Sequence, residues 1–420
     1  MNEIGMHDVV VTGIGMVSAL GLNRNDCFQA LQNGQSGVAF ASPEIRALVP
    51  EALSAALPNG FDALVAKSEA GFDRATKIGL VAAREALADA EFDIPDEEKD
   101  RVGVYVGVGL GGTSTLNDMY AKFFGRMFKA ESGDPAVAHP LSVPRTMANS
   151  TAAWVSIHNG FRGPTHTYSI ACSSSAVAIG EAYRAIKHGY ADAILVIGTE
   201  SMLVPGAFVA WNMMRVMATL SKDNPGASCK PFSKDRSGFV IGEGAAALLL
   251  ESAESAKRRG KKAYGKIVGY GCTSDATHIT LPSLVGQMGA MRLALKESHR
   301  PLEEIGYINA HGTATTAGDV TETESIKGVF GAHANKLAVS STKSMHGHLI
   351  GGAGALEFGI SLMALKTGII PPTANLTDSD PECDLDYVPC HARHNQKLHA
   401  VMSNSFAFGG TNACLIASAE

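Results

Sequence analysis

The chain repeats one local pattern in its two halves. Residues 165–171 predict a strand that runs into Cys172 and then into a helix with little charge. Residues 337–342 predict a second strand, which is followed by a similar helix. A pattern that occurs twice indicates an internal duplication, and strands that alternate with Ala-rich helices are typical of a mostly parallel α/β sheet. We therefore expect two related halves, residues 1–258 and 259–420; chance similarity between α/β segments is the alternative.

The helix of the second half is nearly free of charge. Between Lys343 and Lys366 the one formally charged side chain is Glu357. A helix that is apolar on every side is buried rather than amphipathic. A carboxylate buried with it needs a partner or a raised pKa, because burial penalises the charged form. We expect Lys343 to pair with Glu357; a purely structural role for both is the alternative.

Composition excludes several classes of protein. With 45% hydrophobic and 18% charged residues, the chain is neither disordered nor a polar solvating segment. A net charge of −6 without a long basic run argues against nucleic-acid binding. The seven scattered cysteines form no CxxC pair, which predicts a reducing, cytoplasmic compartment. We find neither a signal peptide nor an apolar run of the ~18 residues that a membrane helix needs, so no membrane association is expected.

Cys172 is the strongest candidate for a nucleophile. It follows a predicted strand and begins a predicted buried helix, and serines and alanines surround it. A helix N-terminus favours the thiolate, so we expect a lowered thiol pKa. The same backbone N–H groups can hold an oxyanion. A buried inert cysteine is the alternative reading, but the other six cysteines lack this strand and helix context.

Two histidines are candidates for acid-base or hydrogen-bonding roles. His311 follows a predicted strand at residues 307–309, and the hydroxyls of Thr313 and Thr315 come soon after it. His348 precedes the second charge-poor helix, whose N-terminus should lower its pKa and keep it neutral. Taken singly, each histidine is also compatible with a structural role in the core.

Metal and nucleotide sites are not predicted. The spacing of His346 and His348, like that of the cysteines and histidines at residues 383–394, matches no standard ligand set. Glycine is abundant, at 45 of 420 residues. Residues 107–112 nevertheless lack the third glycine of a dinucleotide fingerprint, and residues 404–412 enter a strand rather than a helix. An aromatic residue flanked by glycines in this second segment is better suited to a movable gate.

Six ordered motifs resemble those of the β-ketoacyl-acyl-carrier-protein synthases of the Cys-His-His class, closest to the type II elongating enzymes. They cover essentially the whole chain and lie at residues 10–18, 171–176, 231–239, 311–315, 343–348 and 404–412. The resemblance implies a thiolase-like α/β fold in which two related halves form a layered αβαβα sandwich, normally as a homodimer. It also implies an acyl carrier protein as partner, whose phosphopantetheine carries the substrates, and no other cofactor.

The resemblance further implies a decarboxylative condensation in fatty-acid elongation. Cys172 would carry the acyl group, and malonyl-carrier protein would lose CO2 and attack it to give 3-oxoacyl-carrier protein. His311 and His348 would stabilise the enolate, supported by Lys343 and Glu357. The oxyanion hole would consist of the backbone N–H groups of Cys172 and Phe408.

Other roles follow from the resemblance at matching positions. Thr313 and Thr315 would bind the pantetheine arm, Phe408 with Phe406 would form the gate, and Leu110 would limit the acyl pocket near the dimer interface. Four cations are candidates for docking the acidic carrier protein, with an ordinary solvated surface as the alternative for each: Arg74, Lys77, Arg215 and Lys222.

Some positions depart from the family pattern. Ala407 replaces a glycine in the gate and could stiffen it, His346 adds a third ring, and residues 173–175 resemble polyketide ketosynthases. The same chemistry in a specialised polyketide or polyene pathway, with a related subunit in a heterodimer, is therefore the alternative. A non-catalytic chain-length subunit would lack the nucleophile. A thiolase would need a second cysteine near the last glycine turn, where Cys414 lies inside a predicted strand.

Overall fold

The computed structural model describes residues 6–128, 138–222 and 224–419. Its strands are β1 (Val9–Val17), β2 (Ala39–Phe40), β3 (Leu53–Ala55), β4 (Val102–Gly107), β5 (Thr165–Tyr168), β6 (Ala193–Glu200), β7 (Ile241–Gly242), β8 (Gly244–Ser252), β9 (Gly265–Ser274), β10 (Ile305–Asn309), β11 (Ala338–Ser340), β12 (Ala400–Phe406) and β13 (Thr411–Ser418). Its α-helices are α1 (Arg24–Gln32), α2 (Pro43–Arg46), α3 (Arg74–Asp89), α4 (Thr113–Phe128), α5 (Ser142–Thr146), α6 (Ser150–Asn159), α7 (Ser174–Lys187), α8 (Pro205–Met213), α9 (Ala253–Arg258), α10 (Leu284–Ser298), α11 (Thr316–Phe330), α12 (Lys343–His346) and α13 (Ala353–Thr367).

Ten strands form one sheet, in the order β11-β10-β12-β13-β9-β1-β8-β6-β4-β5. Five of these strands belong to each half, β1, β4, β5, β6 and β8 to the first and β9 to β13 to the second. When the five strands of a half are numbered 1 to 5 in chain order, both halves have the order 3-2-4-5-1, read from the edge of the sheet inward. In both sets, strands 3, 2 and 4 are parallel, whereas strand 5 is antiparallel to its two neighbours. Equal order and equal direction confirm the duplicated α/β fold. The exact boundary between residues 258 and 259 remains a prediction.

The two halves join through a short antiparallel contact between β1 and β9, where Val9 lies opposite Ile267 and Val11 opposite Gly265. The segments that we expected to be equivalent occupy equivalent places. Strand β5 lies within residues 165–171 and β11 lies within residues 337–342, and each is the third strand of its half. The repeated pattern in the sequence therefore has a structural counterpart.

Helices cover both faces of the sheet. Helices α7 and α13 pack against each other and against strands of both halves, and α3 and α6 pack on the first half, α10 and α11 on the second. Along β8, Leu248 and Leu250 belong to the cluster that contains α7 and α13, whereas Leu249 belongs to the cluster of α3 and α6. Because successive strand residues face opposite sides, these helices form separate layers, as in the expected αβαβα arrangement.

Helix α13 confirms the prediction made from its missing charges. Each of its residues from Ala353 to Leu365 is buried. Its first turn follows a 3-10 turn, Ile350–Gly352, so the helix starts several residues after His348. His348 therefore lies in the connection between α12 and α13, rather than at the start of the long helix.

Strand β1 is longer than the sequence pattern predicts. The apolar run at residues 9–12 predicts a strand that ends at Gly13, but β1 continues to Val17 after a register shift between Val11 and Gly13. A Cβ atom at Gly13 would lie 2.2 Å from the carbonyl oxygen of Ala86, so glycine permits β1 to pack directly on α3. This contact explains why glycines interrupt an otherwise apolar strand.

Residues 112–145, which the sequence pattern predicts to be an insertion, include α4 and most of α5, and residues 129–137 lie outside the described residues. Within the part of the chain that the structure describes, no helix has the length and hydropathy needed to cross a membrane.

Candidate active site

Cys172 lies in a single 3-10 turn, Ala171–Ser173, between β5 and α7. Helix α7 begins only at Ser174, two residues later than we expected. Ala171 has a φ of +44°, which is an unusual backbone conformation for a residue with a Cβ atom. This sharp turn places the Cys172 side chain, which is 5% exposed, in the interior between the two halves.

His348 is in direct contact with Cys172. Its Nε2 atom lies 3.0 Å from the Cys172 Sγ atom, and its ring meets the ring of Phe239 edge to face at a centroid distance of 5.3 Å. The other ring nitrogen, Nδ1, is buried and has no hydrogen-bond partner among the described residues. No neighbouring group therefore fixes which nitrogen of His348 carries the proton.

His311 follows β10 and is held by Lys343. The Lys343 Nζ atom donates a hydrogen bond of 2.6 Å to the His311 carbonyl oxygen and lies 3.5 Å from the ring Nδ1. It also lies 2.5 Å from Glu357 Oε1, and both side chains of this ion pair are fully buried. The pairing that the isolated charges suggested is therefore present in the fold. Since an ammonium only donates, it favours a His311 tautomer with the proton on Nε2.

Reactive atoms of Cys172, His311 and His348 lie within 4.8 Å of one another. The two imidazole rings meet edge to face, with centroids 5.5 Å apart. Such a spacing can also suit a metal ion, but burial, followed by the charge of Lys343, lowers the pKa values of both rings. The same positive charge would repel a bound cation.

The pKa of Cys172 differs from our expectation. Burial raises it to about 11, which outweighs the opposing effects of Lys343 and of the backbone N–H groups of Phe408 and Cys172 itself. The predicted lowering by a helix N-terminus was therefore wrong, because burial of the thiol penalises its charged form more than these groups favour it. The oxyanion hole expected from the N–H groups of Cys172 and Phe408 remains a prediction.

Both histidines are held neutral. Burial, followed by the charge of Lys343, lowers the pKa of His311 and of His348 well below the usual value. The direction predicted for His348 agrees with this result, but the cause is burial rather than a helix N-terminus. At neutral pH the site thus contains a thiol and two neutral imidazoles.

Two carboxylates that we did not single out support the His311 segment. Glu322 accepts hydrogen bonds from the backbone N–H groups of His311 at 2.9 Å and Gly312 at 2.7 Å, and from the Asn404 amide at 3.1 Å. Asp319, one turn earlier on α11, accepts from the N–H of Ala314 at 3.1 Å. Burial raises the pKa of both acids, in the case of Asp319 to about 7. Their spacing of three residues, directly after the His311 motif, is a signal that the sequence contained.

The predicted gate is a turn between β12 and β13. Phe406, at the end of β12, lies 5.9 Å from the His311 ring, and Phe408 stacks on Trp211 at 6.4 Å. Trp211 was not predicted to take part in the site. Ala407 does not adopt a positive φ, so the alanine introduces no backbone strain in this conformation.

A cavity of about 310 Å³ leads to these groups. The predicted site residues that line it are Cys172, His311, His348, Thr313, Thr315, Phe406, Phe408 and Arg215. The hydroxyls of Thr313 and Thr315 lie 3.1 Å apart. One cavity thus unites side chains that are separated by more than 200 residues in the chain.

Other predicted residues lie elsewhere. Leu110 is 61% exposed and does not line the cavity. Arg74 makes two hydrogen bonds of 2.6 Å to the buried carboxylate of Glu243. Lys77 is half-buried and Lys222 is exposed, and neither lines the cavity. The structure therefore brings only Arg215, of the four docking candidates, to the cavity.

Comparisons with known proteins agree with this geometry. Residues 6–256 match the N-terminal domain of β-ketoacyl synthases, and residues 264–377 match their C-terminal domain. The chain is 40% identical to a 3-oxoacyl-[acyl-carrier-protein] synthase 2 of Synechocystis, over 97% of each chain, and 39% identical to one of Coxiella burnetii, over 98% of each.

Solved structures show the same fold. A β-ketoacyl synthase from Burkholderia phymatum is 35% identical, with a TM-score of 0.88 over 99% of this chain and 100% of that one. A type II polyketide ketosynthase in complex with its acyl-carrier protein is 26% identical, with a TM-score of 0.90 over 99% of this chain and 100% of that one. The fold is thus thiolase-like, and the chain belongs to the β-ketoacyl synthase family.

Proposed function

We propose that this protein is a condensing acyltransferase of fatty-acid elongation. It takes an acyl group from acyl carrier protein onto Cys172 and joins it to malonyl-carrier protein, releasing CO2, 3-oxoacyl-carrier protein and free carrier protein. The observation that carries this proposal is the meeting of Cys172, His311 and His348 within 4.8 Å in the wall of one cavity. Both substrates arrive on phosphopantetheine, so the reaction needs no resident cofactor.

Acyl transfer begins with a neutral thiol. The S–H group of Cys172 donates to Nε2 of His348, which lies 3.0 Å away and accepts the proton as sulfur attacks the thioester carbonyl. The negative oxygen of the tetrahedral intermediate is held by the N–H groups of Cys172 and Phe408. The carbon-sulfur bond of the donor then breaks, and the pantetheine sulfur leaves with the proton from His348.

Decarboxylation needs hydrogen-bond donors at the thioester oxygen of malonyl-carrier protein. His311 can supply one, since Lys343 favours the tautomer with the proton on Nε2. His348 can supply the second, because its Nδ1 has no fixed partner and the ring can exchange tautomers after acyl transfer. Two neutral donors stabilise the enolate as the carboxylate leaves as CO2.

Condensation completes the cycle. The enolate carbon attacks the carbonyl carbon of the acyl-Cys172 thioester, a carbon-carbon bond forms, and the bond to sulfur breaks. The departing Cys172 sulfur takes up one proton, so each turnover consumes one proton overall. The high pKa of this thiol favours reprotonation, and the free enzyme returns to its neutral state.

The pantetheine arm lies in the cavity, where Thr313 and Thr315 offer hydroxyls to its amide groups. The acyl chain extends away from Cys172, and we propose that a second copy of the chain completes its pocket. Strand β5 ends the large sheet and pairs only with β4 in the described chain. Leu110 is exposed as well, and a homodimer formed at this edge would cover both.

A specialised polyketide or polyene pathway is the second candidate, with the same residues in the same roles. Solved ketosynthases of similar fold are described in complex with chain length factors, so a heterodimer would be the corresponding assembly. Identity is 40% to the 3-oxoacyl-[acyl-carrier-protein] synthase 2 of Synechocystis, but 26 to 30% to the ketosynthases solved with a carrier protein or a chain length factor. Fatty-acid elongation, in the cytoplasm, is therefore our proposal.

Intact-mass spectrometry tests the nucleophile. We expect a mass gain of one acyl group when the protein meets acyl-loaded carrier protein, loss of this gain in Cys172→Ala, and no effect of the control Cys272→Ala on β9. We expect His348→Ala to release little CO2 from malonyl-carrier protein. Absence of any mass gain with acyl groups of every length tried, or undiminished CO2 release by His348→Ala, would contradict the proposal.

A further inference from the structure

The position of His348 depends largely on its backbone. Its Nδ1 atom has no hydrogen-bond partner among the described residues, whereas the His311 ring has Lys343 beside it. Reacting groups must be held to within about 0.5 Å, so the segments on both sides of His348 matter. On one side, its N–H donates to the Val240 carbonyl oxygen at 2.7 Å, and its carbonyl oxygen accepts from the Gly242 N–H at 2.9 Å.

The backbone on the other side of His348 is strained. Ile350 has a φ of +44°, which is uncommon for a residue with a Cβ atom and an outlier for a β-branched one. Its side chain is 2% exposed and belongs to the same apolar cluster as Cys172. A residue keeps such a conformation only when the surrounding structure holds it there.

Glu200 binds this strained segment. It is the last residue of β6 and is fully buried, and its Oε2 atom accepts the N–H of Gly351 at 3.3 Å and that of Gly109 at 2.6 Å. The two glycine backbones also touch, since a Cβ atom at Gly351 would lie 2.1 Å from the nitrogen of Gly109. One oxygen therefore fastens the segment that follows His348 to the loop that follows β4.

Glu200 acts here as a hydrogen-bond acceptor. Burial raises its pKa to about 7, and the N–H groups of Gly109 and Gly351 oppose that rise. Its second oxygen, Oε1, is buried and has no hydrogen-bond partner among the described residues. The carbonyl oxygen of a carboxyl or amide group can accept the same N–H groups. Glutamine can therefore replace Glu200 in this contact, whereas an apolar side chain cannot.

We infer that Glu200 is a positioning residue for His348. Through the N–H groups of its two glycine partners it holds the strained backbone at Ile350, and it thereby keeps Nε2 of His348 3.0 Å from the sulfur of Cys172. This role rests on the proposed function, in which His348 takes part in both acyl transfer and decarboxylation. Glu200 does not line the cavity, so its loss should lower kcat for both steps and leave KM unchanged.

The test measures acylation by octanoyl-loaded bacterial acyl carrier protein and CO2 release from malonyl-carrier protein. Glu200→Leu leaves two buried N–H groups without an acceptor, and both rates at saturating substrate should fall about 10- to 100-fold, with KM within about twofold. Glu200→Gln keeps an acceptor oxygen and should stay within about threefold of the native rates. In crystals of Glu200→Leu we expect His348 to have lost its contact with Cys172.

Glu85→Leu is the matched control. Glu85 also accepts two backbone N–H groups, those of Met16 and Arg24, at 2.8 Å each, but it does not line the cavity and binds no segment next to His348. Its replacement should lower Tm and leave both rates unchanged.

A double-mutant cycle tests the link to Ile350. Glycine adopts a positive φ without the penalty of a Cβ atom, so in an Ile350→Gly background Glu200 has less strain to hold. The loss of rate caused by Glu200→Leu should be smaller in this background than in the native one by about threefold or more.

Several outcomes would overturn the inference. They are native rates in Glu200→Leu, equal losses in Glu200→Leu and Glu200→Gln, a raised KM with unchanged kcat, and strictly additive effects with Ile350→Gly. If Glu200→Leu does not fold, Glu200→Asp takes its place with the same expectations, because its shorter side chain cannot reach both N–H groups. If the native protein neither acylates Cys172 nor releases CO2, the proposed function fails, and the crystal structure of the variant still decides the positioning role.

Discussion

Replacing Lys343 with methionine separates the chemical role of the buried ion pair from its role in stability. Lys343 and Glu357 are both fully buried with 2.5 Å between Nζ and Oε1. Removing one partner of such a pair costs about 3 to 5 kcal/mol, because a carboxyl group is left in the core without a counter-charge. A chain of 420 residues has an unfolding entropy of about 0.9 kcal/mol/K, so we expect Tm to fall by about 3 to 6 °C.

The double variant Lys343→Met/Glu357→Met is the control. It removes both charges, which is close to neutral for stability when the replacements are apolar and of similar size. The His311 carbonyl still loses its 2.6 Å hydrogen bond, which costs about 1 to 2 kcal/mol. Calorimetry should therefore show a Tm only about 1 to 2 °C below that of the native protein.

Decarboxylation should respond differently from stability. In both variants His311 loses the ammonium that favours its tautomer, so CO2 release from malonyl-carrier protein should fall about 100-fold. Recovery of CO2 release in the double variant would refute the link between Lys343 and His311. A Tm of the single variant within 1 °C of the native value would refute the role of the pair in stability.

The pH dependence of the single variant has a definite sign. Burial already raises the pKa of Glu357 from an ordinary 4.5 to about 7, and the charge of Lys343 opposes that rise. Without Lys343 the pKa of Glu357 in the folded state should rise further. In Lys343→Met the folded protein therefore keeps the Glu357 proton at pH values above 4.5, where the unfolded chain has released it. Stability should decrease as pH rises through this range, so the Tm deficit should be larger at pH 8.5 than at pH 6.

Two further predictions concern Cys172 and Arg74. Only the thiolate of Cys172 reacts with iodoacetamide, so a thiol pKa of about 11 predicts that the alkylation rate still rises about tenfold per pH unit between pH 9 and 10. Intact-mass spectrometry measures this rate, and a plateau near pH 8.5 would contradict the prediction. Arg74→Met should lower Tm by about 1 to 3 °C, because buried Glu243 loses its ion pair. Arg74→Met should leave KM for the carrier-bound substrate unchanged, and so should the control Lys77→Met. A raised KM in Arg74→Met alone would show that Arg74 takes part in docking.

Local patterns in the sequence were sufficient for much of the fold. The charge-poor stretch around Glu357 predicted a buried helix, and α13 is buried from Ala353 to Leu365. The repeated strand and helix segments predicted a duplication, and the two sets of five strands have the same order. Boundaries were less accurate: β1 continues past Gly13, because its close packing on α3 allows glycine inside a strand.

The site shows what local patterns miss. Glu322 and Asp319 support the His311 segment by accepting hydrogen bonds from its backbone N–H groups. Their spacing marked them in the sequence, but it did not show which N–H groups they would bind. Trp211 contacts Phe408 from a distant helix. Arg74 had the charge expected of a docking residue, but its partner Glu243 is 169 positions away and was not predictable from spacing.

The sequence by itself determined the duplicated α/β fold, the buried helices and the types of residue that bear the chemistry, because periodicity and charge are local properties of the chain. Only the tertiary structure decided the protonation states at Cys172 and the two histidines. A pKa depends on desolvation and on charges that come from other segments, and burial of Cys172 raised the thiol pKa although its position before a helix predicted the reverse. The neutral thiol, the neutral imidazoles and the buried pair of Lys343 and Glu357 behind them are properties of the assembled core.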